Sequence, residues 1–431
     1  KDGSVKEYSE AKSVYEIAVD ISEGLARAAC AGELDGQVVD LRTTVDHDCT
    51  LNILTANDPA GLATLRHTTS HVLAEAVKRL FPEAKVTIGP SIENGFYYDF
   101  DCAPFSREDL DKLEAEMKKI IKEGHKLERF TLPRAEAIQF MKDRNEPYKV
   151  ELIEDLPEDA EISFYSQGEG FTDLCAGPHL MSTKNIKAFK LISSSGAYWR
   201  GNEKNAMLQR IYGTAFAKKE ELNAYLEHLE DIKKRDHNKL GREMELFTTV
   251  DVIGQGLPLM LPNGTKMIMK MQRWIEDLED KEWGYVRTKT PLMAKSDLYK
   301  ISGHWDHYKD GMFVLGDEEK DKEVFALRPM TCPFQYYVYK NTQKSYRDLP
   351  YRMGETSTLF RNEDSGEMHG LTRVRQFTIS EGHNVIRPDQ TEEELKNCFD
   401  LNYYVLKTLG LENDVTYRLS KWDPANTEKY L

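Results

Sequence analysis

A chain of 431 residues is too long for one compact core, and its 40% hydrophobic and 30% charged content is that of an ordinary soluble protein of about three domains. The formal net charge of −15 argues against a protein that coats nucleic acid indiscriminately, although residues 340–375 carry seven Lys/Arg against five Asp/Glu and leave room for a local basic surface. No run of about 18 apolar residues exists to span a membrane, and Cys30, Cys49, Cys102, Cys175, Cys332 and Cys398 lack the spacing of a disulfide scaffold, which points to reduced thiols. The opening KDGSVKEY has neither an initiator Met nor an apolar signal region, so the expectation is a trimmed start and a cytoplasmic location.

Residues 1–57 read as a small β-grasp-like unit: KDGSVKEY as a strand bounded by a DG turn, SVYEIAVDIS as a short amphipathic helix, and LDGQVVDLRTTV as a second DG turn between alternating apolar residues. After NDPAG, a helix is expected over 61–81, with Leu62, Leu65, Val72, Leu73, Ala76, Val77 and Leu80 on its apolar face and Pro82 ending it. VTIGPSIENGFYYDF (86–100) predicts β structure around an NG turn. The next helix starts after Ser106 and stops at Gly124. Strand-like and turn-rich text runs on to about residue 215, and 218–240 predicts a charge-laced connector helix. Beyond Arg242, a helix over 265–283 precedes the strands GYVRTKTPLM and VFALRPMTCPF. A hairpin made by STLFRNEDSGEMHGLTRVRQFTISEGHNVI then suggests a mostly antiparallel sheet. GDEEKDKE at 316–323 reads as a solvated loop.

Two stretches repeat one polar spacing. RHTTSH puts His67 and His71 one helical turn apart inside an apolar frame, and DLCAGPH repeats the interval with Cys175 and His179. The four could complete a tetrahedral Zn²⁺ set, form a hydrolytic site, or pack as a hydrogen-bonded cluster without function. A zincin would need Glu after the first His, where Thr68 stands, so a metalloprotease is not expected. In the hairpin, residues two apart share a strand face, which pairs Arg361 with Glu363 and aligns Arg373, Arg375 and Phe377. Guanidinium forks, one carboxylate and an aromatic plane suit a nucleotide; a surface salt-bridge hairpin would carry the same pattern.

FRNE followed by RVRQF resembles motif 2 of the class II aminoacyl-tRNA synthetases. RPMTCPF, KSYRDLPYRMGE, SGHWDHYKDGMF, NGFYYDF, TDLCAGPH, GAYWRGNEKNAMLQRIYGTA and KRDHNKLG, which together span essentially the whole chain and occur in the expected order along it, resemble the threonyl-tRNA synthetase family. The resemblance implies an α+β multidomain protein: a TGS β-grasp domain (1–57), an α+β editing domain (61–216), a helical linker (217–241) and part of a class II antiparallel-sheet catalytic domain (242–431). It implies that Arg361 holds the ATP α-phosphate and the threonine carboxylate, Glu363 reads adenine, Arg373 meets the terminal phosphates and Phe377 stacks on the base. Helix 265–283 with the strand through Pro291 resembles motif 1, the homodimer element. Cys332 and His383 would be two of three protein ligands of one Zn²⁺ per full-length subunit, and Glu381 would lie near the threonine side chain or amine. An open zinc position could take the amino and hydroxyl groups of threonine, which valine cannot match.

Three departures stand out. Phe334 and Gln335 replace the Gly-His that commonly follows the Cys-Pro, Ile379 replaces a residue that is polar in some members, and the chain stops at SKWDPANTEKYL, before motif 3, the third zinc histidine and the anticodon-binding domain. The expectation is therefore that this polypeptide edits only. Serine differs from threonine by one methyl and keeps the hydroxyl, a difference of about 1–3 kcal/mol in binding, so a hydrolytic sieve for seryl-tRNA(Thr) is expected. In that reading His67 and Lys149 are candidates for water activation or charge stabilisation, Asp173 and His179 bind substrate, and Cys175 and His71 shape the pocket, without an obligatory metal. Lys149 taken alone also reads as a solvated cation. The implied substrates and partners of the complete enzyme are L-threonine, ATP with Mg²⁺, tRNA(Thr) and a second copy of the chain, with no membrane. The rivals are a stand-alone editing hydrolase with a synthetase remnant and a non-enzymatic RNA-binding regulator.

Overall fold

The computed structural model describes residues 3–202 and 204–421, in two compact units, Lys1–Glu230 and Asp231–Leu431. The expected domain ends at 1 and 431, and most of SKWDPANTEKYL, lie outside the described residues. No helix among the described residues is long and apolar enough to cross a membrane.

In the first unit, α1 (Val14–Ile21) starts at a capping box: the Ser13 hydroxyl accepts the Glu16 amide at 3.2 Å and Glu16 accepts the Ser13 amide at 2.8 Å. Helix α2 (Glu23–Ala28) leads into β1 (Ala29–Leu34), which turns at Asp35-Gly36, both at positive φ, into β2 (Gln37–Val39). Strand β3 (Leu51–Thr55) pairs antiparallel along the other edge of β1. KDGSVKEY is a correction: residues 3–10 form no strand, and only Lys12–Ser13 pairs, with Thr44–Val45. Val5 is 89% exposed, so the segment has no apolar face to bury.

Helix α3 (Pro59–Leu80) begins two residues earlier than expected, with Pro59 in its first turn, and is the axis of the unit. Leu65, Val72, Leu73, Ala76 and Val77 sit in the main core, yet Arg66, Thr68, Thr69, Ser70, His71 and Glu75 are buried too. Against it lies a sheet of β4 (Gly95–Asp101) with two long strands, Ala188–Tyr198 and Met207–Phe216, and α4 (Arg107–Glu123) packs on the same core. Ser106 caps α4, with Asp109 completing the box, and Gly124 at φ 73° ends it, because a residue with a Cβ pays for that left-handed turn.

A second sheet joins β5 (Leu127–Thr131), β6 (Ser163–Gln167) and β7 (Phe171–Leu174) in antiparallel register. Between β5 and β6 the strand-like reading is corrected: α5 (Arg134–Asp143) and α6 (Pro147–Glu154) occupy that stretch. Each is short and buries only a few apolar anchors, Ala137, Met141 and Ile153, against Phe164, too few for a helical period to stand out. After β8 (Ala188–Tyr198) and β9 (Met207–Phe216), α7 (Lys219–Lys234) ends where Asp236 caps a new helix, α8 (His237–Glu243), accepting the Lys239 amide at 2.9 Å. The single connector expected over 218–240 is therefore two helices.

The second unit holds α9 (Pro262–Lys281), then β10 (Phe325–Leu327). VFALRPMTCPF is a strand only over those three residues; Cys332 opens α10 (Cys332–Lys340), whose first turn Pro333 favours. Strands β11 (Tyr351–Phe360) and β12 (Gln376–Val385) pair antiparallel, from Tyr351↔Val385 to Phe360↔Gln376, and Val286–Arg287 joins β11 in parallel. The expected hairpin exists, with one correction. Arg361, Glu363, Arg373 and Arg375 lie in the connection between its strands, because acidic and glycine-containing EDSGEMHG turns away from the ladder at Phe360. Helix α11 (Thr391–Thr408) follows.

Candidate functional site

The two histidines of α3 and the DLCAGPH loop meet in one cleft. His67 Nε2 lies 3.0 Å from Cys175 Sγ, which is 3.3 Å from His179 Nε2. The His67 and His179 rings stack at 4.4 Å, and His71 meets both edge-on, at 4.9 and 4.3 Å. Other atoms fix the tautomers. The Gly89 carbonyl lies 3.1 Å from His67 Nδ1, and Thr68 Oγ1 lies 3.1 Å from His179 Nδ1. Since a carbonyl only accepts, His67 carries its proton on Nδ1 and keeps the Nε2 lone pair facing the thiol.

Lys149, a candidate for water activation or charge stabilisation in the family reading and a solvated cation when taken alone, is buried at 2% exposure on α6. Its Nζ is 2.5 Å from Asp173 Oδ1, whose other oxygen accepts the Tyr98 hydroxyl at 2.6 Å and lies 3.6 Å from His71 Nδ1. Thus His67, His71, Lys149, Asp173, Cys175 and His179 all converge. Tyr98 and Thr68 were missed. The alternation of NGFYYDF, which points Tyr98 to the same side as Phe96 and Phe100, was the available signal.

Burial sets the charge state. It lowers the pKa of His67, holds His71 down at about 3 and drives His179 well below its ordinary value, with His67 adding to the shift of His71, and His71 and His67 adding to that of His179. It also pushes the Cys175 thiol up to about 12. Burial would raise the Asp173 carboxyl too, but Lys149 and then His71 outweigh it and keep the group below the usual carboxylate value. At neutral pH the cleft therefore presents three neutral imidazoles and a thiol beside one compact ion pair. His67, His71, Cys175 and His179 also offer ligand atoms within 4.8 Å of one another, a donor set that suits Zn²⁺. Another such group, Glu75, Glu123 and His125, already encloses Arg79, whose Nη2 is 2.6 Å from Glu75 and 2.7 Å from Glu123.

In the second unit, Phe377, Ile379, Glu381 and His383 alternate along one face of β12. Arg361 lies over Phe377, 5.1 Å from its ring centre. Glu363 accepts from Arg373 Nε at 2.9 Å and Nη2 at 2.8 Å, and the same fork reaches Glu367 at 2.6 Å. Arg375 donates to the Glu363 carbonyl at 3.0 Å. Cys332, Glu381 and His383 bring ligand atoms within 4.8 Å. Gln335, a departure from the family pattern, is fully buried; its Oε1 lies 2.5 Å from His383 Nδ1 and its amide donates to Thr288 at 2.7 Å. Beneath them Arg328 pairs with Glu355 at 3.0 Å, both 0% exposed. Arg328 Nη2, Thr331 Oγ1, Ser357 Oγ and Glu381 Oε1 are buried without a hydrogen-bond partner. A thiol, an imidazole and an unsatisfied carboxylate oxygen fit a zinc ion by donor chemistry.

Comparison with known proteins matches three family models in chain order: the TGS domain over residues 1–55, the threonyl and alanyl tRNA synthetase second additional domain over 162–212, and the class II tRNA synthetase core domain (G, H, P, S and T) over 313–430. The chain is 67% identical to a threonine–tRNA ligase of Clostridium botulinum (strain Eklund 17B / Type B), along all of this chain and 67% of that protein. It is 55% identical to that of Acetivibrio thermocellus, over 96% of this chain and 65% of that protein. A crystal structure of the RNA binding domain of threonyl-tRNA synthetase from Cryptosporidium parvum Iowa II matches 41% of this chain and 43% of its own at 34% identity, with a TM-score of 0.39. Cys175 and His179 fall inside the second additional domain, and Arg361, Cys332 and His383 inside the class II core. With this identity sustained from end to end, the chain belongs to the threonine–tRNA ligase family and spans about two thirds of the length of the relatives it matches.

Proposed function

We propose that the complete protein attaches L-threonine to tRNA(Thr) with ATP and Mg²⁺ through threonyl-adenylate, and that the present chain carries the centre that hydrolyses mischarged seryl-tRNA(Thr). The observation that carries the second part is the cleft just described: three neutral imidazoles and a thiol around a buried Lys149–Asp173 pair.

Hydrolysis of the ester needs a proton acceptor for the attacking water and a positive partner for the oxygen that becomes negative. His67 Nε2 is the free lone pair of the cleft once a water takes the place of the Cys175 contact, and the Gly89 carbonyl keeps the tautomer that exposes it. Lys149 supplies the fixed cation. Asp173 orients Lys149 and, through Oδ2, stands opposite His71, while Cys175 and His179 shape the wall against the terminal ribose.

In the second unit, Arg361 stacked over Phe377 forms a cationic and aromatic platform suited to a nucleotide, with Glu363 beside it to accept the exocyclic amine of adenine. Arg373 is held by two carboxylates, so meeting a polyphosphate exchanges those contacts for phosphate oxygens. Cys332 and His383, with Glu381 nearby, would hold a zinc ion, which when bound supplies the open coordination position that separates threonine from valine. Gln335 fixes the ring of His383 through Nδ1. On α9 the side chains of Met267, Ile268, Met269 and Met271 are 42–51% exposed, an apolar stretch that supports a homodimer contact. A cytoplasmic location agrees with the reduced thiols.

The test is deacylation of seryl-tRNA(Thr) by the 431-residue chain beside a His67→Ala, His71→Ala double variant, each with and without a chelator. Hydrolysis that is lost in the variant and indifferent to chelator is the expected result. A folded parent that leaves the ester intact would overturn the assignment of this cleft, and loss of activity on chelation would turn the four side chains into metal ligands.

A further inference from the structure

The His/Cys cleft is closed on one side by a turn that belongs to the N-terminal module rather than to the elements that supply its side chains. Asp40, Leu41 and Arg42 follow β2, and the Asp40 carbonyl accepts the Thr43 amide at 3.0 Å to close the turn. Leu41 is fully buried in the small core of the module, alongside Val14 and Ala29, with Met181 packed against them. That plug presents the two flanking charges to the segment His179–Leu180.

Every contact they make there is a hydrogen bond to a defined group. Asp40 Oδ2 accepts the His179 amide at 3.0 Å and the Tyr165 hydroxyl at 2.9 Å, while Oδ1 accepts the Arg42 amide and Nη1, each at 2.8 Å. Arg42 donates to the His179 carbonyl at 3.2 Å and the Leu180 carbonyl at 2.9 Å, and its Nε reaches Leu127 on β5 at 3.0 Å. Both main-chain groups of His179 are therefore tied to the N-terminal module, one to a carboxylate and one to a guanidinium. Tyr165, anchored by Asp40, also lies 4.4 Å from the His179 ring, and Gly177 has no Cβ because one would collide with the Tyr165 hydroxyl. Charge-assisted bonds of this kind are short and directional, and four donors on one carboxylate leave it no freedom to turn.

We infer that Asp40 and Arg42 are positioning residues of the hydrolytic centre: they clamp the main chain of His179, so that the N-terminal module sets the geometry of the cleft. The inference rests on the proposed hydrolysis of seryl-tRNA(Thr) for its activity readout, but the clamp itself has a readout of its own. A His179 shifted by about 1 Å would disturb its stacking on His67 and its contact with Cys175, and misplacements of that size cost on the order of a hundredfold in rate.

The experiment uses the 431-residue chain with Asp40→Asn, Arg42→Lys and, as a reference for plain loss of stability in the same module, Leu41→Ala. Steady-state hydrolysis of seryl-tRNA(Thr) is measured together with the NMR resonance of the His179 ring Cε1 proton, assigned with His179→Gln. The expected result is a kcat lower by roughly tenfold to a hundredfold in Asp40→Asn and Arg42→Lys, with KM unchanged and the His179 resonance displaced. Leu41→Ala is expected to lower thermal stability and leave that resonance in place. A parent that hydrolyses while Asp40→Asn and Arg42→Lys keep its kcat and an unmoved resonance would sink the inference and leave the proposed function standing. An inactive parent would sink the proposed function; a displaced His179 resonance in the variants would then still support the clamp, and an unmoved one would overturn it.

Discussion

The two candidate sites differ in how they satisfy their polar atoms. In the cleft of the first unit the buried imidazoles, thiol and hydroxyls find partners in one another, as in Tyr98 to Asp173 and Thr68 to His179, and Asp173 Oδ1, which has no hydrogen bond, is ion-paired with Lys149 at 2.5 Å. In the second unit Glu381 Oε1 on β12, Ser357 Oγ on β11, and Thr331 Oγ1 and Arg328 Nη2 between β10 and α10 are buried with no hydrogen-bond partner. Buried polar groups are nearly always paired, so the first arrangement is organised before a substrate arrives, whereas the second is completed by what binds there. Chain position separates the two: the cleft is built from segments that all lie within residues 40–181, while β12 lies within the stretch that matches the class II core domain.

The sharpest way to break the comparison is Lys149→Met. It leaves Asp173 as an uncompensated buried charge, and removing one member of such a pair costs about 3–5 kcal/mol; urea unfolding followed on the first unit should register that loss, and seryl-tRNA deacylation should vanish with it. An unchanged midpoint would mean that solvent reaches Asp173. Next comes the dependence on pH. The imidazoles of His71, His67 and His179 have folded pKa values below the unfolded value of roughly 6.5, with His71 at about 3. The unfolded chain binds more protons below that value, so stability is full above about pH 6.5 and falls as the pH drops towards 3, by about 1.4 kcal/mol per pH unit for each such group. Cys175, raised to about 12, works in the opposite direction: its unfolded form ionises first, so stability falls again above roughly pH 8.5. Thermal melts across that range should therefore trace a plateau with two shoulders, and a flat acid limb would contradict the neutral imidazoles.

Smaller effects test the second site. Gln335→Leu removes the partner of His383 Nδ1 and should weaken zinc binding by the full-length protein about tenfold to a hundredfold in competition with a chromophoric chelator; equal affinity would deny Gln335 any hold on that ring. The smallest expected change is in Arg373→Ala. The Arg373 side chain is half exposed in its ion pairs with Glu363 and Glu367, so stability should move by no more than about 1 kcal/mol, while ATP binding by the full-length protein should weaken clearly. A stability loss without an ATP effect would make the Arg373 cluster a surface brace.

Much of this was legible from residue order. The span of α3, the Ser106 start and Gly124 stop of α4, the Asp35-Gly36 turn and the pairing of β11 with β12 follow from local periodicity and from backbone conformations that only certain residues favour. The interval of four between His67 and His71 already placed both on one helix face, and the family motifs FRNE, RVRQF and DLCAGPH pointed to both sites. What local order misread were elements whose identity depends on distant partners. Helices α5 and α6 bury too few apolar residues to announce themselves, and residues 3–10 stay out of any sheet because nothing covers Val5, which is 89% exposed.

The sequence by itself therefore determined the family, the helical frame of the cleft and which residue types could do chemistry there. Only the tertiary structure decided that Lys149 is a buried ion-pair partner, that Tyr98 and Thr68 fix the orientation of Asp173 and His179, and that Asp40 and Arg42 hold a loop more than a hundred residues away. The physical reason is the range of the forces involved. Helical spacing, caps and turns are settled within a few residues, but desolvation and hydrogen-bond pairing depend on which segments the whole fold brings together.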